Sequence, residues 1–187
     1  MEKPDLPSLI IHPWPLADAV RVAAGAAPVL AEFAETRVWL LSDAPAQLPG
    51  AEIISPAELA AHRARDPGVM DEAIYFFCPA ALDFRDLGRL RMVLFHDQQA
   101  MVAASRFAPG ANWPAGFLSR LRARFNRRPL GSLTDPGFGA LLLAPGLAAQ
   151  LPELTPAAAI SRVLTNDWPV MEIGANVRAG DWVSDVS

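Results

Sequence analysis

Two polar side chains that could contact a ligand follow short apolar runs of the sequence. His12 closes the run that starts at Leu9, and Asp43 lies just after the run Val38 to Leu41. Open α/β sheets bind ligands at the carboxyl ends of their strands, so both positions are candidate ligand contacts. The alternative is that His12 and Asp43 are ordinary turn or capping residues.

Two further positions carry groups with reactive chemistry. Cys78 ends the most strand-like run of the chain, Ala73 to Cys78, and Asp83 follows five residues later. A nucleophilic cysteine needs a nearby base or a helix N-terminus to lower its pKa, and no Cys-His signature surrounds Cys78. A buried core thiol is therefore favoured there. His96 precedes Asp97 and could form a polar pair with it, or act as a cation at a helix C-terminus.

Five arginines lie within the nine residues from Arg120 to Arg128. On a helix, Arg120 and Arg124 fall on one side. Such a cluster could bind a phosphate or an acidic partner. The alternative is the solvated face of an amphipathic helix. We do not expect aromatic residues to stack beside the cluster in the manner of proteins that bind single-stranded nucleic acid.

The composition is that of an ordered globular protein. Of 187 residues, 52% are hydrophobic and 19% are charged, and the net charge is −4. This modest acidity predicts neither nucleic acid nor membrane as a partner. A single cysteine excludes an internal disulfide and a cysteine-based zinc site. No signal peptide is recognisable, and no apolar run reaches the roughly 20 residues that a bilayer requires, so we expect a cytoplasmic protein.

Strand-like and helical segments alternate along the first two thirds of the chain. This alternation predicts βαβ units, and therefore a single three-layer α/β/α domain over residues 1–187 with a mainly parallel central sheet. We expect a helix from Asp18 to Phe33, with Asp18 as its cap and a break at Pro28. Ser55, Pro56 and Glu58 predict the start of a second helix. Further predicted elements are listed here: helices Asp86 to His96, Trp113 to Asn126, Leu147 to Gln150 and Ala157 to Leu164, and strands Glu52 to Ile54, Ala100 to Phe107, Gly139 to Leu143, Val170 to Ile173 and Asn176 to Val177.

The last hundred residues contain three motifs in a fixed order. In the first, Asp86 to Phe107, a helix ends near a histidine and leads into a strand of small residues. The second, Thr134 to Gln150, combines a strand and a helix around Gly137 and Pro145, with Asp135 at its start.

The third motif, Trp168 to Ser187, contains Gly180, Trp182 and Asp185. In this order the three motifs resemble the C-terminal half of the GT-A-like sugar-phosphate nucleotidyltransferases. The resemblance implies a nucleotide-diphospho-sugar-transferase-like fold. It also implies an enzyme that joins a nucleoside triphosphate to a sugar 1-phosphate with the help of Mg²⁺. Asp135 stands where that family usually has asparagine.

The N-terminal half departs from the family at the parts that perform this chemistry. The family's glycine-rich loop cradles the triphosphate, whereas His12 is followed here by Pro13, Trp14 and Pro15. The only lysine, Lys3, precedes the first strand and cannot be the family's catalytic lysine. The position of the first metal carboxylate is occupied by Cys78, Pro79 and Ala80.

Two functions from different classes follow from this resemblance and these departures. The first is a degenerate, non-catalytic member of the fold that serves as a binding protein, as a subunit for a protein partner or as a homo-oligomer. The alternative is an enzyme that transfers a nucleotidyl group to a sugar phosphate, or binds a nucleotide-sugar, and that uses Mg²⁺ if active. In either case a nucleotide or nucleotide-sugar is the expected ligand, and the candidate contacts are His12, Asp43, Asp83, Asp185, Arg120 and Arg124. No metal ligands are assigned.

Overall fold

The structure is a computed structural model that describes residues 8–31, 37–66, 68, 72–80, 82–105 and 140–174. Within these ranges, seven strands form one sheet in the order β3-β2-β1-β4-β6-β5-β7. Strand β6 runs antiparallel to β4 and β5, and the other pairings are parallel. The strands are β1 Leu9–Pro13, β2 Val38–Leu41, β3 Ala51–Ile54, β4 Ile74–Cys78, β5 Met101–Ser105, β6 Ala140–Leu143 and β7 Val170–Gly174.

Helices cover both faces of this sheet. They are α1 Ala19–Leu30, α2 Pro56–Arg65, α3 Asp86–His96 and α4 Pro156–Thr165, with 3-10 turns at Leu16–Asp18 and Ala148–Gln150. The predicted α/β fold with a mainly parallel central sheet is confirmed. None of the helices in the described ranges has the length and apolar character needed to cross a membrane.

Alternation along the strands divides the core into two halves, one on each face of the sheet. Ile11 and Phe76 belong to the half that packs against α1 and α3. Ile10 and Phe77 belong to the half that packs against α2 and α4. Because β1 and β4 are buried on both faces, their sequences are almost entirely apolar. A polar side chain in either strand is therefore an exception.

The start of α2 follows the predicted capping box. The Ser55 Oγ accepts a hydrogen bond from the backbone N–H of Glu58 at 3.2 Å, and the Glu58 carboxylate accepts one from the backbone N–H of Ser55 at 2.7 Å. Pro56 occupies the first turn, where its missing N–H costs nothing. The helix therefore begins where the sequence indicates.

The prediction for α1 is wrong in two details. The helix continues through Pro28 to Leu30, because Val22, Ala26 and Leu30 on its buried face pack against the sheet and offset the cost of the proline. Asp18 precedes the helix, but its carboxylate accepts a hydrogen bond from Arg21 at 3.1 Å and caps no backbone N–H. The segment predicted as a helix at Leu147 to Gln150 is a single 3-10 turn.

Strand β3 forms one edge of the sheet and carries a charged cluster. The Glu52 carboxylate accepts hydrogen bonds from the Arg37 guanidinium at 2.8 Å and from the Trp39 indole N–H at 2.9 Å. The guanidinium of Arg37 also lies 4.6 Å from the centre of the Trp39 ring. An anion is thereby fixed in the middle of the edge strand.

Candidate functional site

The order in which successive strands are added to the sheet reverses between β1 and β4. The chain places β2 and β3 on one side of β1 and then returns to place β4 on the other side. In open α/β sheets this reversal opens a crevice at the carboxyl ends of the two central strands, where ligands bind. The candidate site is therefore the end of β1 and β4.

Aromatic rings from β1, β4 and the loop after β1 gather at this point. His12 pairs with Phe77 across the parallel strands, and their ring centres are 5.0 Å apart. The Tyr75 ring lies 5.7 Å from His12 and 4.9 Å from Phe77. Trp14 stands nearly perpendicular to Phe77, with the ring centres 6.0 Å apart. Trp14 remains partly exposed, while His12, Tyr75 and Phe77 are buried.

A hydrogen bond joins the two polar members of this cluster. The Nδ1 of His12 lies 2.6 Å from the Tyr75 hydroxyl. Burial lowers the pKa of His12 to about 4, because the apolar surroundings disfavour the imidazolium. Burial also raises the pKa of Tyr75. Both side chains are therefore neutral at pH 7.

The loop after β1 presents few free backbone donors. Pro13 and Pro15 have no N–H, and the Trp14 N–H donates to the carbonyl of Cys78 at 2.9 Å. Phosphate cradles depend on several unpaired N–H groups that point at one place. Residues 13–15 therefore do not form such a cradle.

Asp43 lies at the same end of the parallel strands, two residues after β2. Ile11 of β1 pairs with Leu40 of β2. The end of β2, and the turn after it that carries Asp43, therefore lie beside the end of β1 that carries His12. Asp43 is exposed and makes no hydrogen bond or ion pair with any residue in the described ranges. The preceding Ser42 is held by its own bonds to Ala44 and Ile54. Asp43 is therefore a carboxylate available to a ligand on a fixed turn.

The end of β4 does not resemble a metal site. Cys78 is fully buried, and burial raises the pKa of its thiol, which keeps it protonated. Arg85 engages the carboxylate of Asp83 through hydrogen bonds of 2.9 and 3.1 Å from its Nε, and these hold the pKa of Asp83 below its usual value. Mg²⁺ and Mn²⁺ prefer carboxylate oxygens. Over the described ranges, no three His, Cys, Asp or Glu side chains are grouped to hold a metal ion.

The remaining predicted residues lie elsewhere. His96 ends α3, which leads back to the end of the sheet where the parallel strands begin. The Nδ1 of His96 lies 3.0 Å from an Asp97 carboxylate oxygen. Arg120, Arg124 and Asp185 lie outside the described residues, as do the predicted helix Trp113 to Asn126 and strand Asn176 to Val177.

Sequence reasoning missed Tyr75 and Phe77 as members of the site. A usable signal was present, since Tyr75 is the only tyrosine of the chain and lies in an otherwise apolar buried strand. A polar side chain at such a position requires a partner. His12, the polar residue of the neighbouring strand, was the available one.

Among the described strands, β6 runs antiparallel in an otherwise parallel sheet, and the chain has a GT-A-like, nucleotide-diphospho-sugar-transferase-like fold. Among solved structures, the chain is similar to glucosyl-3-phosphoglycerate synthase from Mycobacterium tuberculosis. For the complex of that enzyme with Mn²⁺, UDP and glucosyl-3-phosphoglycerate, the TM-score is 0.57 at 15% identity, over 92% of this chain and 71% of that one. For its complex with phosphoglyceric acid, the TM-score is 0.57 at 16% identity, over the same shares.

No protein-family model matches the chain, and no curated protein matches it in sequence. At 15–16% identity the structural similarity shows the fold alone. The fold is the one that the three C-terminal motifs imply.

Proposed function

We propose that this protein binds a nucleotide-sugar at the carboxyl ends of β1, β2 and β4, without metal-dependent transfer of the sugar or of the nucleotide. One observation carries the proposal. His12 lies at the end of β1, one of the two strands between which the order of the strands reverses, and Asp43 follows the adjacent strand β2. The point of reversal is the general ligand site of open α/β sheets.

The chemistry of Asp43 supports a sugar or base contact. An exposed carboxylate with no partner in the described ranges accepts hydrogen bonds, and ribose hydroxyls and base N–H groups donate them. The structurally similar synthase was solved with UDP. A uridine nucleotide is therefore the first ligand to test.

The residues at the end of β4 argue against metal-dependent chemistry. The synthase was also solved with Mn²⁺. At the end of β4 in this chain, a protonated thiol, a proline and an alanine stand where a carboxylate would be needed, and Asp83 is engaged by Arg85. These residues do not fit a divalent cation, so the proposed binding does not depend on one.

The test is isothermal titration calorimetry with UDP, UDP-glucose, GDP-mannose and nucleoside triphosphates, each with Mn²⁺, with Mg²⁺ and with EDTA. We expect binding of at least one nucleotide-sugar with the same Kd in all three conditions. Asp43→Asn should weaken that binding by at least about tenfold, since a charge-assisted hydrogen bond contributes about 1.5–3 kcal/mol. Asp97→Asn, which changes an aspartate at the opposite end of the strands, should leave the Kd unchanged.

Two results would overturn the proposal. Absence of binding across the panel would exclude a nucleotide-sugar as the ligand. Binding that requires Mn²⁺ or Mg²⁺, together with release of UDP or pyrophosphate on incubation with a sugar phosphate, would replace it with the metal-dependent enzyme.

A further inference from the structure

The hydrogen bond between His12 and Tyr75 determines which imidazole nitrogen carries the proton. Its length of 2.6 Å is typical of an O–H donor and short for an N–H donor. The Tyr75 hydroxyl has no other hydrogen-bond acceptor in the described part of the chain, so its proton must point at His12 to be satisfied. Tyr75 therefore donates to Nδ1, and the proton of the neutral imidazole lies on Nε2.

This assignment leaves a nearly buried donor in need of an acceptor. His12 is only 9% exposed, and its Nε2 makes no hydrogen bond with the residues that the structure describes. A buried N–H without an acceptor costs free energy that a bound acceptor would recover. His12 is the penultimate residue of β1, at the strand end where the proposed site lies.

The surroundings of His12 select the kind of acceptor. A phosphate group requires cations or several backbone N–H groups, whereas the loop here has two prolines and a Trp14 N–H already bonded to Cys78. The cluster consists instead of uncharged rings, of which Trp14 is partly exposed and offers an aromatic surface. Aromatic surfaces combined with one neutral donor suit a planar base with a carbonyl oxygen.

We propose that His12 determines base specificity by donating its Nε2–H to an exocyclic carbonyl oxygen of the nucleobase, and that Tyr75 is the positioning residue that holds the proton on Nε2. This inference rests on the proposed nucleotide-sugar site. Uracil and guanine present such a carbonyl, whereas adenine presents an amino group in its place. Uridine or guanosine nucleotides are therefore bound in preference to adenosine nucleotides.

The first experiment measures the affinity of the wild-type protein for UDP, GDP and ADP by calorimetry in EDTA. We expect at least one of UDP and GDP to bind about tenfold more tightly than ADP, the difference expected from one satisfied hydrogen bond. Equal affinities would overturn the inference while leaving the proposed function intact. Absence of binding by all three, and by the nucleotide-sugars, would overturn both.

Variants separate recognition from folding. His12→Phe keeps an aromatic ring but removes both nitrogens, so it should abolish the preference for the carbonyl-bearing base. Tyr75→Phe should reduce the preference, because the proton is then free to occupy either nitrogen. His96→Gln removes an exposed imidazole at the other end of the strands and serves as the matched control. Circular dichroism establishes that each variant is folded.

A spectroscopic measurement keeps the inference testable even if the variants do not fold. The chain has three histidines, so His62→Gln and His96→Gln suffice to assign the imidazole ¹⁵N resonances of His12. We expect the wild-type protein at pH 7 to show a protonated Nε2 and an unprotonated Nδ1, and the Nε2 resonance to shift on addition of the preferred nucleotide. A proton on Nδ1, or an Nε2 resonance unaffected by the nucleotide, would contradict the inference.

Discussion

At the residue scale, His12 links the stability of the fold to pH. Its pKa in the folded protein is about 4, below the usual 6.5, because the ring is buried among aromatic side chains. The unfolded chain therefore binds a proton at a higher pH than the folded chain does. The contribution of neutral His12 to the free energy of unfolding is fully present above about pH 6.5 and is lost as the pH falls towards 4.

This linkage predicts a slope in the unfolding free energy. Between pH 6.5 and 5, we expect the urea-unfolding free energy of the wild-type protein to fall by on the order of 1 kcal/mol per pH unit. The carboxyl groups with lowered pKa values change the free energy of unfolding mainly at a lower pH than this range. In His12→Phe the contribution should disappear, and in His96→Gln it should remain. An equal slope in wild type and His12→Phe would show that His12 protonates freely in the folded state.

At the element scale, the reciprocal bonds of Ser55 and Glu58 determine where α2 begins. Ser55→Ala removes the acceptor for the Glu58 N–H, so we expect a loss of about 1 kcal/mol in the free energy of unfolding. Ser161→Ala, an exposed position inside α4, is the control and should change stability by less than about 0.5 kcal/mol. Urea denaturation followed by circular dichroism measures both. Equal effects of the two substitutions would mean that the cap does not stabilise the helix.

Local signals predicted individual elements well where they were strong. The bounds of α3 and β2 agree with the sequence expectation, and the capping box placed α2. The break predicted at Pro28 is absent. The apolar face of α1 packs on the sheet on both sides of the proline, and this packing outweighs the tendency of proline to interrupt a helix. The direction of β6 was not predictable, since its continuous apolar sequence suits either orientation in a buried sheet.

At the scale of the whole molecule, one sheet serves both halves of the core. Phe76 and Phe77 are adjacent in β4, are fully buried, and belong to opposite faces. We therefore expect the fold to unfold as one unit, with Phe76→Ala and Phe77→Ala each lowering stability by about 3–5 kcal/mol. Tryptophan fluorescence and far-ultraviolet circular dichroism should give coincident unfolding curves for each variant.

Exposed Val20 on α1 provides the control, because Val20→Ala should have little effect. Separate transitions for the two probes, in either phenylalanine variant, would mean that the two faces unfold independently.

The candidate site was only partly predictable because its contacts are not local. His12 and Asp43 were found from their places at strand ends. Tyr75 lies 63 residues after His12, and the two meet only because β4 returns to pair with β1 in one register. No local pattern specifies that register. The ring cluster therefore required the assembled sheet.

The charged cluster on β3 has a consequence for self-association. An edge strand exposes backbone groups that can pair with another copy of the chain, and such pairing leads to aggregation. Glu52, fixed by Arg37 and Trp39, places a negative charge in the middle of the four-residue strand. A second copy approaching in register would bring a like charge against it. The ion pair of Glu52 and Arg37 on this strand therefore disfavours pairing of the sheet edge with a second copy of the chain.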